Sequence, residues 1–249
     1  MKKEEKLKFK KLFGVESGQL GKSVIISPFL SPKLLTPYLK NTGYFKGLLF
    51  QGISGEYKGK RISFVRTGIG HTLVSDCLYA QDAACVRRAL FLGAVGAVKD
   101  FDIGRCVLIK EACFDIGFFE RIDGVKHCFR ATHFYRADAA LLKTAENMFK
   151  KQKDSTQPVR LSTLNSLINQ DADLIGELKA RQIDAVDLEC ALFYAVARDK
   201  KIPALALGYV SDQLITKPYW QERSINEQAQ VKKSVFSIIR SALELCVSA

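Results

Sequence analysis

Between residues 184 and 213 the chain reads strand, helix, strand with almost no connecting sequence, and this unit restricts the fold more than any other feature. Ala185-Val186 is a short apolar step between Asp184 and Asp187, residues 188–198 have helical spacing, and residues 203–210 are apolar throughout before Ser211-Asp212. Strands that are apolar on both faces need cover on both faces, which means helices packed above and below a mostly parallel or mixed sheet. In such sheets ligands gather where strands end. Asp187 and Glu189 lie where the first strand passes into the helix, and Asp212 ends the second. A carboxylate in apolar company costs free energy unless it is paired or used. The arrangement therefore asks for a ligand with hydroxyls and a protonatable leaving group.

The rest of the chain follows the same grammar. Residues 23–27 read as a buried strand bounded by Pro28 and Pro32, and residues 48–51 and 60–67 as strands punctuated by Gly52, Gly55 and Gly59. Helical spacing covers 71–85, 138–150 and 171–180, and strands are expected at 89–92, 106–110 and 185–187. Residues 150–158 and the stretch from Pro158 to Gln170 read as loops. A last amphipathic helix carries Val231, Val235, Ile238, Ile239, Ala242, Leu243 and Cys246 at core spacing. With 249 residues the chain is long enough for one large core, expected over 23–249, preceded by a basic leader over 1–22.

Composition narrows the function classes. No apolar run reaches the roughly 18–20 residues that span a bilayer, and the lysine-rich start lacks the apolar segment of a signal peptide. The seven cysteines are scattered, and none forms a CxxC pair. They read as reduced, buried small hydrophobes, which points to a cytoplasmic protein. Three histidines, with His127 and His133 lacking a partner set, give no metal site. The net charge of +12 is expected to be a solvated basic arm and surface, or an attraction for phosphate-bearing small ligands. Nucleic acid is the weaker partner, because no nucleic-acid motif or interleaved aromatic residue accompanies the charge.

Four blocks, in order, resemble the trimeric/hexameric nucleoside phosphorylase family, which includes uridine phosphorylases and methylthioadenosine/S-adenosylhomocysteine nucleosidases. They are Gly55-Glu56-Tyr57-Lys58-Gly59 running into Thr67-Gly68-Ile69-Gly70; Leu92-Gly93-Ala94-Val95-Gly96 followed by Asp102-Ile103-Gly104-Arg105; Val186-Asp187-Leu188-Glu189; and Val210-Ser211-Asp212. The resemblance implies an α/β fold, a three-layer α/β/α domain around a central mixed, partly barrel-like sheet. It implies cleavage of the N-glycosidic bond of a ribonucleoside, with no metal and no cofactor, and with phosphate as the candidate co-substrate. Glu189 matches the carboxylate that accepts hydrogen bonds from ribose hydroxyls, a contact that strengthens as positive charge develops on the sugar. Asp212 matches the acid that protonates the purine N7, and its presence tilts the reading toward a purine-type nucleoside. Asp187, Leu188, Asn165 and Gly93 join the expected ribose and base contacts. Read alone, Glu189 fits a first-turn helix carboxylate and Asp212 a turn or N-cap residue. Phe134 and Tyr135 could stack on a base, though core packing accounts for them as well. Asn165 fits an ordinary loop as well as a base edge.

The departures concern the nucleophile. Phe91 stands where the family has a phosphate-binding arginine, and Ala94 where it has serine. Lys46 takes the place of a second arginine and Lys33 lies near a third; with Gly68 they form the expected phosphate group, to which Arg66 adds charge. A lysine binds phosphate as a point charge without the guanidinium fork. No glutamate lies between Val24 and Lys46, where the hydrolytic branch keeps its water-activating base. Phosphorolysis is the leading expectation, with a hydrolytic nucleosidase or a non-catalytic nucleoside-binding protein as alternatives. Family members assemble as dimers or hexamers that lend residues between pockets, so a homo-oligomer is expected, with Lys46 the lent residue.

Overall fold

One strand, the apolar segment 88–97, organises the sheet. The computed structural model describes residues 2–82, 84–114, 133–151, 156–168 and 170–248; His127 lies outside them. The strands are β1 (Ser23–Ser27), β2 (Lys40–Lys46), β3 (Gln51–Tyr57), β4 (Lys60–Arg66), β5 (Arg88–Ala97), β6 (Cys106–Phe114), β7 (Tyr135–Arg136), β8 (Gln157–Thr163), β9 (Ala185–Asp187) and β10 (Ala204–Gln213). The helices are α1 (Lys3–Phe13), α2 (His71–Ala80), α3 (Ala139–Lys151), α4 (Ala172–Ala180), α5 (Cys190–Asp199) and α6 (Ile225–Val247). β5 pairs in parallel with β1 and β10 and antiparallel with β9. From β10 the pairing runs through β6 and β8 to β9 and so returns to β5, closing a mixed five-stranded barrel. β1, β4, β3 and β2 continue from β5 as an open sheet.

Alternation along β5 divides the core. Ala89, Phe91, Val95 and Ala97 pack with Val24, Ile26 and Val65, with Val74, Cys77 and Leu78 of α2, and with Phe193, Tyr194 and Val196 of α5. Leu90 and Leu92 face the other way, toward Ile238, Ile239, Ala242 and Leu243 of α6 and Ala145 and Phe149 of α3. Helices therefore cover the sheet on both sides, giving three layers. Each large apolar side chain so buried contributes roughly 1.5–3 kcal/mol. Tyr194 adds a polar tie through the middle, donating to Ile109 O (2.5 Å) and accepting from Ala206 N (2.8 Å). No helix among the described residues is long and apolar enough to cross a membrane.

Several expectations change. The basic leader 1–22 is no solvated arm: α1 buries Phe9 and Phe13, which stack at 4.2 Å, and Phe13 meets Phe50 at 4.7 Å. Its lysines stay exposed, together with Glu4, Glu5 and Leu7. Residues 48–50, expected to begin a strand, instead bond back to α1 through Leu48 N to Lys11 O and Phe50 N to Leu12 O, and β3 starts at Gln51. β2 was not foreseen because only Phe45 of its seven residues is buried. β8 replaces part of the expected loop after Pro158, with Val159, Leu161, Ser162 and Thr163 buried. α2 stops at Ala80 rather than reaching 85, where Gln81 N turns back to Leu78 O.

Candidate functional site

The strands flanking β5 on either side bring the acids to one stretch of it. Val186 of β9 and Asp212 of β10 are both in register with Gly96. Neighbouring strands lie about 4.8 Å apart, so the two backbones are roughly 10 Å apart across β5. The lack of a side chain at Gly96 makes the space: a Cβ there would stand 3.2 Å from Asp212 Oδ2 and 3.3 Å from a methyl of Val186. Because β9 runs antiparallel to β5, its continuation through Asp187 to Glu189 travels back along β5 toward Gly93. The acids thus sit on strands separated by β5 rather than on adjacent ones.

The loop after β4 completes this end. Thr67 N and Gly68 N bond to Ser27 O and Pro28 O at the end of β1, both at 3.0 Å. Gly68 and Gly70 adopt φ of +91° and +112°, a region that favours glycine. That conformation aims the Gly70 N–H at Glu189 Oε1, 2.8 Å away. Glu189 is the N-cap residue of α5 and is buried. Burial, and then the charge of Asp187, push its carboxyl up to about 8, against the pull of the Gly70 and Leu188 amides.

Asp187 was expected among the substrate contacts, but both its oxygens are engaged within the protein. Oδ1 accepts from Thr163 Oγ1 (2.6 Å) and Oδ2 from Cys190 N (2.8 Å), while Thr163 Oγ1 in turn accepts from Ala191 N (2.9 Å). The Asp187–Thr163 pair therefore fixes the start of α5 and with it the position of Glu189. Burial also raises the Asp187 carboxyl, opposed by these donors. Leu188 packs partly buried against the small cluster of Leu164, Leu174 and Val186. Asn165, half-buried, follows β8 two residues after Thr163. Phe134 and Tyr135 pack under Arg160 and Arg198, with guanidinium carbons 4.5 and 4.7 Å from the ring centres.

Asp212 owes its position to a register shift between Val210 and Asp212, where Ser211 has no partner on β5. Ser211 Oγ reaches Asp212 Oδ1 (2.5 Å) and Val95 O (3.2 Å). Burial raises the Asp212 carboxyl, opposed by the Ser211 hydroxyl and then by the charge of Arg223. Arg223 Nε donates to Ser211 O at 3.0 Å. Sequence reasoning missed both Thr163 and Arg223. Each acts through a contact across the fold, Thr163 from a strand read as loop and Arg223 from an irregular segment.

The three expected cations come together. Lys33, Lys46 and Arg66 line one cavity of about 320 Å³ with Tyr44, Gln51 and Gly52. Arg66 pairs with Gln51 and Gln51 with Lys46 across three strands, so the cations flank an amide in one row. Gly70 follows Arg66 by four positions, so their Cα atoms are at most about 14 Å apart. Phe91 is wholly buried against Phe193, 5.6 Å between ring centres, and its ring edge lies 2.6 Å from where a Gly93 Cβ would be. That position supplies packing and no charge. Among the described residues no group of three or more His, Cys, Asp or Glu side chains is placed to hold a metal ion.

Comparison with known proteins agrees with this architecture. Residues 26–244 match the family described as the phosphorylase superfamily. A DeoD-type purine nucleoside phosphorylase of Buchnera aphidicola is 28% identical over 190 residues, covering 74% of this chain and 79% of that protein. A second, from Vibrio vulnificus, is 28% identical over 200 residues, covering 79% and 80%. Among solved structures, the uridine phosphorylase of Vibrio fischeri ES114 has a TM-score of 0.77 at 17% identity, covering 93% of this chain and 94% of that one. The Campylobacter jejuni 5'-methylthioadenosine/S-adenosyl homocysteine nucleosidase has a TM-score of 0.74 at 18% identity, covering 91% and 98%.

Proposed function

Since the chain belongs to the phosphorylase superfamily, we propose that it cleaves the N-glycosidic bond of a purine-type ribonucleoside with phosphate as the attacking group. The observation that carries this reading is the approach of two buried acids, Glu189 and Asp212, to residues 93–96 of β5 from opposite sides. Glu189 accepts the ribose hydroxyls, and its carboxylate becomes a better acceptor as the sugar takes on oxocarbenium character. Asp212 gives its proton to N7, so the base departs neutral with the electron pair of the broken C–N bond. A phosphate oxygen then bonds to C1′, yielding the sugar 1-phosphate and the free base. Lys33, Lys46 and Arg66 support the phosphate part of this reading. Arg223 and Ser211 hold Asp212, while Thr163 and Asp187 hold Glu189. Assembly into a dimer or hexamer belongs to the same reading, supported by the exposed Tyr44, Leu48 and Leu49 beside the sheet-edge strand β2.

One observation favours the alternative of hydrolysis. The buried ring of Phe91 leaves the floor beneath Gly93 without a cation, and water needs no anion cradle. Incubation with inosine, adenosine and methylthioadenosine, each with and without phosphate, separates the readings through the released base. Release that requires phosphate is the expected result. Equal release without it establishes the nucleosidase, and no release from any nucleoside leaves a binding protein.

A further inference from the structure

At the opposite end of the strands, Lys22, Lys60, Arg61, Arg87 and Arg88 line a single cavity of about 410 Å³ whose walls include no acidic residue. They stand immediately before or at the start of β1, β4 and β5, which run parallel. At about 3.3 Å per residue, Arg88 is roughly 25 Å from Gly96 along β5. This cavity is therefore separate from the site where the two acids approach residues 93–96, and the inference does not depend on the reaction assigned there.

Local structure explains two of the cations. Arg88 Nη1 donates to Leu245 O (2.5 Å) and Ser248 Oγ (3.1 Å), and Lys60 Nζ to Val247 O (2.7 Å), so both cap the last carbonyls of α6. Arg61 is oriented by a bond from Nε to Gln19 O (3.1 Å). Lys22 and Arg87 are joined only through their backbones, Arg87 N to Lys22 O at 2.7 Å. Among the described residues neither side chain makes a hydrogen bond or ion pair, and none of the five has a carboxylate within 4.0 Å. Gly21 N anchors the adjoining segment to Ser63 Oγ (2.7 Å), which holds Lys22 beside the strand starts. Like charges gathered in one concavity repel and oppose the compact state, so this arrangement needs a reason beyond helix capping.

We infer that this cavity binds a compact polyanion carrying two or more phosphate groups. The volume lies in the ordinary range for small-ligand sites. Arginine forks match phosphate oxygens two at a time, and three arginines line the walls. Several phosphates are called for because five positive charges surround the space. A nucleic acid is disfavoured: no aromatic side chain lines the cavity to stack a base.

Calorimetric titration of the full chain with inorganic tripolyphosphate at low salt tests this. One site is expected, weakening steeply as salt rises. Arg61→Gln with Arg87→Gln, both exposed, should weaken binding at least tenfold without lowering the melting temperature of the free protein. Lys33→Gln with Lys46→Gln, at the other cavity, should leave it intact. ATP binding as tightly as tripolyphosphate identifies the phosphate chain alone as the ligand; tighter ATP binding identifies a nucleotide. Unchanged binding by the Arg61/Arg87 variant, loss of binding in the Lys33/Lys46 variant, or capture of a short RNA without measurable tripolyphosphate binding each overturns the inference.

Discussion

Replacing Glu189 by glutamine should make the protein progressively more stable than the parent as pH rises. Glutamine keeps an oxygen that accepts the Gly70 N–H but cannot ionise. In the parent, burial and the neighbouring Asp187 move the Glu189 carboxyl from 4.5 to about 8. The folded state therefore holds a proton that the unfolded chain has released. For an acid raised in this way, stability is fully present below the unfolded value near 4.5, is lost as pH climbs from there to about 8, and stays level beyond. A displacement of this size corresponds to at most roughly 5 kcal/mol, shared between Glu189 and Asp187. The variant should match the parent to within about 1 kcal/mol at pH 5 and exceed it by roughly 2–5 kcal/mol at pH 9. In a chain this long, 1 kcal/mol moves the melting temperature by about 2–4 °C. Thermal and urea unfolding of both proteins between pH 5 and 9 measure the gap directly. A gap that does not grow with pH would refute the claim that Glu189 stays protonated in the free site. The same variant should cleave nucleoside about 10²–10³-fold more slowly, the scale of losing one oriented acceptor at a charge-developing centre.

Other perturbations probe the supporting structure. Asp212→Asn should slow base release by about 10²–10⁴-fold while leaving nucleoside binding within severalfold; equal loss of both, read by single-turnover kinetics and equilibrium binding, would remove Asp212 as the acid. Thr163→Val leaves an Asp187 oxygen and the Ala191 amide unpaired, which should cost roughly 1–3 kcal/mol in urea unfolding and raise KM as Glu189 loses its fixed position. Phe13→Ala should cost about 3–5 kcal/mol, since the ring is fully buried between Phe9 and Phe50; a cost below 1 kcal/mol would mean that α1 is not part of the core.

What the sequence showed, and what it hid, follows from the range of the interactions involved. Residues 203–210 were legible because they are apolar throughout, residues 185–187 as a short apolar step ending in an acid, and α6 because its apolar positions recur at helical spacing. Glu189 and Asp212 stood out as acids at the ends of such segments. β2 was invisible because an edge strand with one buried residue carries no pattern. α1 was misread because lysine density masked two phenylalanines, Phe9 and Phe13, four residues apart on one face. The antiparallel course of β9, and hence the separation of the two acids by β5, is a matter of pairing that local spacing does not encode. The same holds for Thr163 and Arg223, whose roles exist only through contacts with Asp187 and Ser211. Lys33, Lys46 and Arg66 were named as phosphate candidates from their charge, with Lys46 expected to serve a neighbouring subunit; their gathering at one cavity of a single chain, with Arg66, Gln51 and Lys46 in a row across β4, β3 and β2, required the register.

The most direct measurement is a crystal structure of the protein bound to a non-cleavable purine C-nucleoside. The account predicts ribose hydroxyls within about 3 Å of Glu189 and the imidazole edge of the base turned toward Asp212, above residues 93–96. A nucleoside held away from β5, or one touching only one of the two acids, would contradict it.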